Sequence, residues 1–340
     1  MTTRPHQASG QAGSRGMMRA AVIVGHGRPP QYRPHPAPGR GPGQALIRVT
    51  AAPVSPLDLL CASGTSYFGA PPVPYAPGVQ GVGIVEESAA LPTGQRVWFS
   101  CEAGMRPVDG ALAELCVTDD SSVLPVPDGV SDEEIAALGL SAIAAWMALT
   151  WRGGLRLGER VLVLGASGTV GQVGVQAARL LGAGRVIAAC RDAHGRARAA
   201  ALGADAVADL NGDDVGVIAD RLAKAAAGPV DVVLDPVWGR PAEAALRVLA
   251  PQGRLVNLGS SAGSQAELGS AALRGGTLSV LGYTNNALSH EQKAVALGEI
   301  LAHAEAGRLS ADRETMPLAR VAEGWSRCGR PPHRRAVLIP

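Results

Sequence analysis

Arg160-Val-Leu-Val-Leu-Gly165-Ala166-Ser167-Gly168-Thr169-Val170-Gly171, followed by the helical-looking run from Gln172 to Leu181, is the stretch that decides how this chain reads. The apolar run Val161 to Leu164 predicts a buried strand, the glycines a tight turn, and the residues after them a helix N-terminus. That arrangement holds a dinucleotide pyrophosphate on backbone N–H groups and on the positive end of a helix. A glycine-rich turn alone is a weak signal, and Ala166 stands where the G-x-G-x-x-G pattern has its first glycine. Context strengthens it: a second apolar strand, Arg185 to Ala189, follows Gly182-Ala183-Gly184 and completes a βαβ unit. Ala166, Ser167, Gly168, Thr169, Val170 and Gly171 are therefore the expected phosphate cradle.

The end of the second strand bears on which dinucleotide binds. An NAD site places Asp or Glu there, about 20 residues past the glycines, to accept from the ribose hydroxyls. Here the residue is Cys190, followed by Arg191. Cys190 leaves room and no negative charge where a 2′-phosphate would sit. Arg191, with Arg196 or Arg198 a turn into the next helix, can offer charge-assisted hydrogen bonds to that phosphate. The expected cofactor is NADPH. Asp192 is the counterweight, because a strand end two residues later would make it the ribose ligand.

Composition sets the outer bounds. A chain of 340 residues has room for about two domains. With 46% hydrophobic and 18% charged residues it is a globular composition, and no apolar run approaches the roughly 20 residues of a membrane span. A net charge of +2 gives no electrostatic case for nucleic acid. The five cysteines are odd in number and scattered, which suits free thiols in a reducing, cytoplasmic compartment. The seven histidines show no metal-type pairing. Residues 1–16 are polar and read as a flexible extension.

Along the chain the pattern changes once and then returns. Met18 to Val24, Gln44 to Thr50, Gly81 to Glu86, Gln95 to Ser100 and Ala113 to Val117 predict short strands between turn signals. From Ser131-Asp-Glu-Glu134, a capping-box-like start, an apolar helix runs to Leu149. Alternating strands and helices follow to about Leu281, which implies a parallel sheet covered on both faces. A helix over His290 to Ala306 and a last strand, Arg335 to Ile339, follow, and that strand is expected to pair back with the first domain.

An ordered set of stretches now has a counterpart. It includes Met18-Arg-Ala-Ala-Val-Ile23, Ala52-Pro-Val-Ser-Pro-Leu-Asp58, Pro77-Gly-Val-Gln-Gly-Val-Gly83, Gly110-Ala-Leu-Ala-Glu114, the glycine turn, Asp231-Val-Val-Leu-Asp235 and Ala336-Val-Leu-Ile-Pro340. In order and spacing these resemble the medium-chain dehydrogenase/reductase superfamily, in the zinc-independent quinone oxidoreductase branch that includes zeta-crystallin and polyketide enoyl reductases. The resemblance implies an α/β fold: a GroES-like β-rich catalytic domain plus a Rossmann domain with a doubly wound parallel sheet. The expected boundaries are 17–135 for the first part of the catalytic domain, 136–284 for the Rossmann domain and 285–340 for the return. It also implies a homodimer, and Gly276 to Gly282 is a short apolar edge strand suited to pairing with a copy of itself.

Zinc enzymes of this superfamily ligate their metal at the positions of Ser55 and Val79, with Gln80 where they carry a glutamate. Valine has no lone pair to give, and zinc needs three N, S or carboxylate ligands. Without a metal to polarise an oxygen, a conjugated carbonyl can supply its own electrophilicity. The expected reaction is hydride transfer from NADPH to a small-molecule quinone or activated alkene. Candidate donors to the enolate oxygen are Tyr67, near the tyrosine position of the family's enoyl reductases, and Ser55, where the family often has Asn. Tyr67 reads equally as an aromatic pocket wall and Ser55 as a turn cap. Gly259, Ser260 and Ser261 are expected on the nicotinamide side, and Trp238 departs from the small residue the family prefers. A specialised biosynthetic reductase of an enone or iminium, and a catalytically silent dinucleotide-binding protein, are the alternatives.

Overall fold

The computed structural model describes residues 16–340, so the extension expected over 1–16 lies, apart from Gly16, outside the described residues. The first part of the chain forms β1 (Met17–Val22), β2 (Gln31–Pro36), β3 (Gln44–Pro53), α1 (Pro56–Ala62), β4 (Gln80–Glu87), β5 (Arg96–Ser100), β6 (Leu115–Asp119) and β7 (Val123–Pro125). Helix α2 (Asp132–Met147) leads into β8 (Arg160–Leu164), α3 (Thr169–Leu180), β9 (Arg185–Cys190), α4 (Ala193–Ala201), β10 (Ala206–Asp209), α5 (Val215–Ala226), β11 (Val230–Asp235), α6 (Arg240–Leu246), β12 (Leu249–Asn257), α7 (Ser270–Gly276) and β13 (Ser279–Gly282). The return consists of α8 (His290–Glu305), β14 (Arg313–Pro317), α9 (Val321–Arg327) and β15 (Arg335–Ile339).

Strands β8 to β13 make a six-stranded, wholly parallel sheet of order β10-β9-β8-β11-β12-β13. Strand order reverses between β8 and β11, the switch point at which open α/β sheets bind ligands. Alternate residues of β8 serve opposite faces. Val161 and Val163 join the core under α2, α3 and α8, whereas Leu162 and Leu164 join the core under α5 and α6. Cover on both faces is why the strand reads as an unbroken apolar run. The catalytic domain is built on a sheet of order β14-β15-β3-β4-β5-β7, with β6 also paired to β3. As expected, β15 returns to the first domain, with Val337 opposite Pro53 and Leu338 opposite Ala52.

Helix α2 joins the domains. Its cap is the expected Ser131, whose hydroxyl accepts from the Glu134 N–H at 3.2 Å. The reciprocal half of a capping box is absent because the Glu134 carboxylate accepts from the Ala311 N–H at 3.0 Å and pairs with Arg313. At Gly139 the helix breaks, with φ 27° and ψ −127°. Gln80 fills the break: its Oε1 accepts from the Leu140 N–H at 2.7 Å and from Trp98 Nε1–H at 3.1 Å. A Cβ on residue 139 would lie 2.0 Å from that oxygen, so glycine is required there. Contrary to the reading of apolar run length, residues 132–152 form one helical stretch long and apolar enough to cross a membrane, but most of it is buried within the protein. It is the core helix on which both domains pack.

Replacing Gln80 with leucine removes the acceptor of two buried donors. Unfolding free energy should fall by about 2–4 kcal/mol, read from the urea midpoint. An unchanged midpoint would show that Gln80 does not support the helix break.

Candidate active site

At the switch point, Gly165 closes β8 with φ 60°, and a Cβ there would lie 2.6 Å from Val237 Cγ1 on the loop after β11. Gly168 stands at the cap position of α3, and no side chain caps that helix. The first intrahelical bond runs from the Gln172 N–H to the Gly168 carbonyl at 2.8 Å. The N–H groups of the first turn therefore have no acceptor within the helix, the condition for anion binding at a helix start. Gly171 brings α3 close: a Cβ would meet the Gly165 oxygen at 2.3 Å and Ala166 Cα at 2.6 Å. Gly174 continues the approach, with Leu234 Cδ2 at 2.4 Å from a notional Cβ. Ala166, at the missing first glycine, is buried and donates its N–H to the Ala189 carbonyl at 3.1 Å.

Strand β9 ends at Cys190, which is buried, and burial pushes its thiol up to about 11. The arginines expected beside it are used differently. Arg196 donates through Nη1 to the carbonyls of Cys190 (3.1 Å) and Arg191 (2.7 Å) and pairs with Asp209 at 3.1 Å, so it braces the strand end. Arg198 donates to the Pro332 carbonyl at 2.9 Å and pairs with Asp312 at 2.8 Å. Arg191 is exposed, and its side chain makes no hydrogen bond or ion pair among the described residues. Asp192 caps α4 instead of ending the strand, accepting from the Gly195 N–H at 2.5 Å.

Across the switch point, Asp235 is fully buried and organises the loop after β11. Its Oδ1 accepts from the N–H groups of Val237 (3.0 Å) and Trp238 (2.8 Å), and its Oδ2 from Asn257 Nδ2 at 3.0 Å. Burial raises its pKa. Trp238 has φ 58°, a region a bulky residue rarely adopts. Its ring is partly buried against the core beneath α5 and α6, which identifies at least part of its role as packing on this loop. Gly259 lies against Pro236, where a Cβ would be 2.5 Å from the carbonyl oxygen, and Ser260 and Ser261 are exposed beyond it.

The remaining candidate residues lie on the catalytic domain. Ser55 caps α1 in a complete capping box: its hydroxyl donates to Asp58 Oδ2 at 2.6 Å and accepts from the Asp58 N–H at 3.3 Å. Asp58 Oδ1 accepts from the N–H groups of Gly78 and Val79 at 3.1 and 3.0 Å. One buried carboxylate thus ties the turn at Ser55 to the turn at Val79, and its burial raises its pKa. Tyr67, on the loop after α1, is 78% exposed and stacks on Phe68 with ring centroids 4.1 Å apart. Burial and the nearby Cys61 raise its pKa, so its phenol keeps its proton at neutral pH. The sequence reading missed Arg335. It is 5% exposed, donates to the Val54 carbonyl and Ser141 Oγ at 2.8 Å each, and leaves its Nε without a partner. An arginine opening an otherwise apolar terminal strand was the available signal.

Ser55, Val79 and Gln80 do not make a ligand set here. The Ser55 hydroxyl is committed to Asp58, Val79 has no donor atom, and the Gln80 amide oxygen holds Leu140 and Trp98. Among the described residues no cluster of three His, Cys, Asp or Glu side chains could hold a metal ion.

Two family models match the chain: an alcohol dehydrogenase GroES-like domain over residues 41–128 and a zinc-binding dehydrogenase over residues 169–300. Prostaglandin reductase-3 of Bos taurus is 32% identical over 299 residues, covering 82% of this chain and 76% of that protein. A phenolphthiocerol/phthiocerol polyketide synthase polypeptide of Mycobacterium tuberculosis is 34% identical over 282 residues, which are 80% of this chain but 12% of the synthase polypeptide. The quinone oxidoreductase of Thermus thermophilus, solved alone and in complex with NADPH, is 30% identical with a TM-score of 0.80, covering 95% of this chain and 100% of that one. Fold and sequence together define a two-domain dinucleotide-dependent oxidoreductase. The chain belongs to the medium-chain dehydrogenase/reductase superfamily, in its quinone oxidoreductase-like branch.

Proposed function

We propose that this protein is a zinc-independent, NADPH-dependent reductase that delivers hydride to a quinone or an α,β-unsaturated carbonyl. The observation that carries the reading is an uncapped α3 N-terminus at the switch point, together with Ser55, Val79 and Gln80, which offer no metal ligand set. The reductase names of the bovine and Thermus relatives, and the NADPH bound to the latter, support the same reading.

The N–H groups of Ser167 and of Thr169 to Gly171 hold the pyrophosphate, those of Ala166 and Gly168 being donated to the Ala189 and Gly165 carbonyls, and Gly259 to Ser261 bound the nicotinamide end. Bound there, the dihydronicotinamide supplies the hydride. The chain's own residues orient the acceptor and manage the charge that builds on its carbonyl oxygen when the β-carbon is reduced. A protonated phenol is suited to that oxygen, and Tyr67 is the candidate that is both exposed and protonated. Ser55 is the weaker candidate, because its proton is already donated to Asp58. Arg335 contributes a fixed positive charge at the seam between the domains. Strand β13, half-exposed at the sheet edge, with α7 burying none of its residues beside it, is the surface proposed to pair with a second copy.

The direct test is NADPH consumption against a panel of quinones and enones. Turnover is expected on at least one acceptor, and NADPH binding without turnover on any would favour a silent dinucleotide-binding protein. Tyr67→Phe keeps the ring and removes the donor, so the reduction rate should fall on the order of 10²-fold with NADPH affinity unchanged. An undiminished rate would make Tyr67 pocket wall. Arg191→Ala should weaken NADPH about 10- to 100-fold, the loss of one charge-assisted contact, and spare NADH. Equal weakening of both would remove Arg191 from the 2′-phosphate site. Light scattering at micromolar concentration should give twice the chain mass, and a monomer would contradict pairing through β13.

A further inference from the structure

Beside the end of β9 stands a pair of side chains that the strand-end pattern does not announce. Asp192 caps α4, and its carboxylate and Ser167 of the glycine turn both lie against Gly195, where a Cβ would be 2.7 Å from Asp192 Oδ2 and 2.5 Å from Ser167 Cβ. Its Oδ2 lies 3.7 Å from Nε2 of His333, which comes from the last loop of the catalytic domain. That histidine is held in place from several sides. Its carbonyl accepts from Gln172 Nε2 at 3.4 Å, its N–H donates to the Arg330 carbonyl at 2.8 Å, and the preceding Pro332 carbonyl accepts from Arg198 at 2.9 Å. Its φ of 58° is costly for a bulky residue and persists only where the surroundings fix it. The fixed loop sets an imidazole against the carboxylate nearest the phosphate-binding turn.

A carboxylate at this end of the groove accepts from a ribose 2′-hydroxyl and repels a 2′-phosphate. An imidazolium beside it cancels that repulsion and adds a donor, whereas neutral imidazole does not. We infer that the Asp192–His333 pair tunes how strongly NADPH is preferred over NADH, with protonated His333 assisting the 2′-phosphate and neutral His333 leaving Asp192 to oppose it. The inference rests on the proposed reading of the chain as a dinucleotide-dependent reductase, and it makes cofactor choice a function of pH.

The charged groups facing His333 are Asp192 at the α4 cap, Arg191 at the strand end and Arg198 on α4. Arg198 in turn contacts His194 Nε2 at 2.9 Å and pairs with Asp312, which also holds Arg334 at 3.3 Å. Burial lowers the His333 pKa, Asp192 opposes that shift, and Arg198 and Arg191 add to it. Without cofactor the ring is therefore neutral at pH 7 and above. A 2′-phosphate placed among these groups favours the charged ring, so NADPH binding takes up a proton and strengthens as pH falls. NADH carries no such phosphate and lacks this linkage.

The test is direct titration of the intact protein with NADPH and with NADH between about pH 6 and pH 8, for wild type, His333→Gln and Asp192→Asn. Asparagine keeps the helix cap, and the phosphate's own ionisation, with a pKa of about 6, is common to all three proteins. Relative to His333→Gln, the wild-type ratio of NADPH to NADH affinity should fall about tenfold across this range. Asp192→Asn should raise the ratio above wild type, most at the high end of the range, and His333→Gln should hold it low. A wild-type profile parallel to that of His333→Gln, or an Asp192→Asn ratio equal to wild type, overturns the inference while leaving the reductase reading intact. Failure of all three proteins to bind either dinucleotide overturns both.

Discussion

The structure depends on how closely α3 lies against the turn that precedes it. Gly171 and Gly174 leave no room for a Cβ, because the Gly165 carbonyl and the Leu234 side chain already occupy that space. The approach aims the first turn of α3, uncapped by any side chain, at the switch point between β8 and β11. The same helix carries two buried amides that reach into the other domain. Gln176 exchanges bonds with the backbone of Ser310 at 2.8 and 3.0 Å, and Gln172 accepts from the Asp312 N–H at 3.1 Å. The glycine turn and the seam between the domains are therefore set by one helix, and displacing it would disturb both.

Ser55, Val79 and Gln80 are each buried and each serves the fold. Ser55 caps α1, Val79 offers its N–H to Asp58, and Gln80 supplies the acceptor that the break at Gly139 takes from α2. The phenol of Tyr67, by contrast, is exposed.

Much of this architecture was legible because burial on both faces of a parallel sheet leaves continuous apolar runs, as in Val161 to Leu164 and Val232 to Leu234. The elements left unread are short, exposed or at edges. Strand β2 contains Pro34 and Pro36 and is exposed except at His35, β10 has four residues, and α7 buries none of its side chains. None carries the periodicity that burial imposes. In the site, the glycine turn was readable because its constraint is local. The commitment of Arg196 to the strand end, the placement of His333 against Asp192 and the burial of Arg335 join residues far apart in sequence, and no local pattern encodes them.

The proposed transfer of hydride from a dinucleotide on α3 to a conjugated carbonyl, with no metal assisting, is tested most directly by following deuterium from 4-deuterated NADPH into an enone, using protein stripped with a chelator and checked for metal content. Deuterium is expected at the β-carbon at a rate equal to that of untreated protein, with far less than one equivalent of zinc per chain. Loss of transfer on stripping, with recovery on adding zinc, would contradict it.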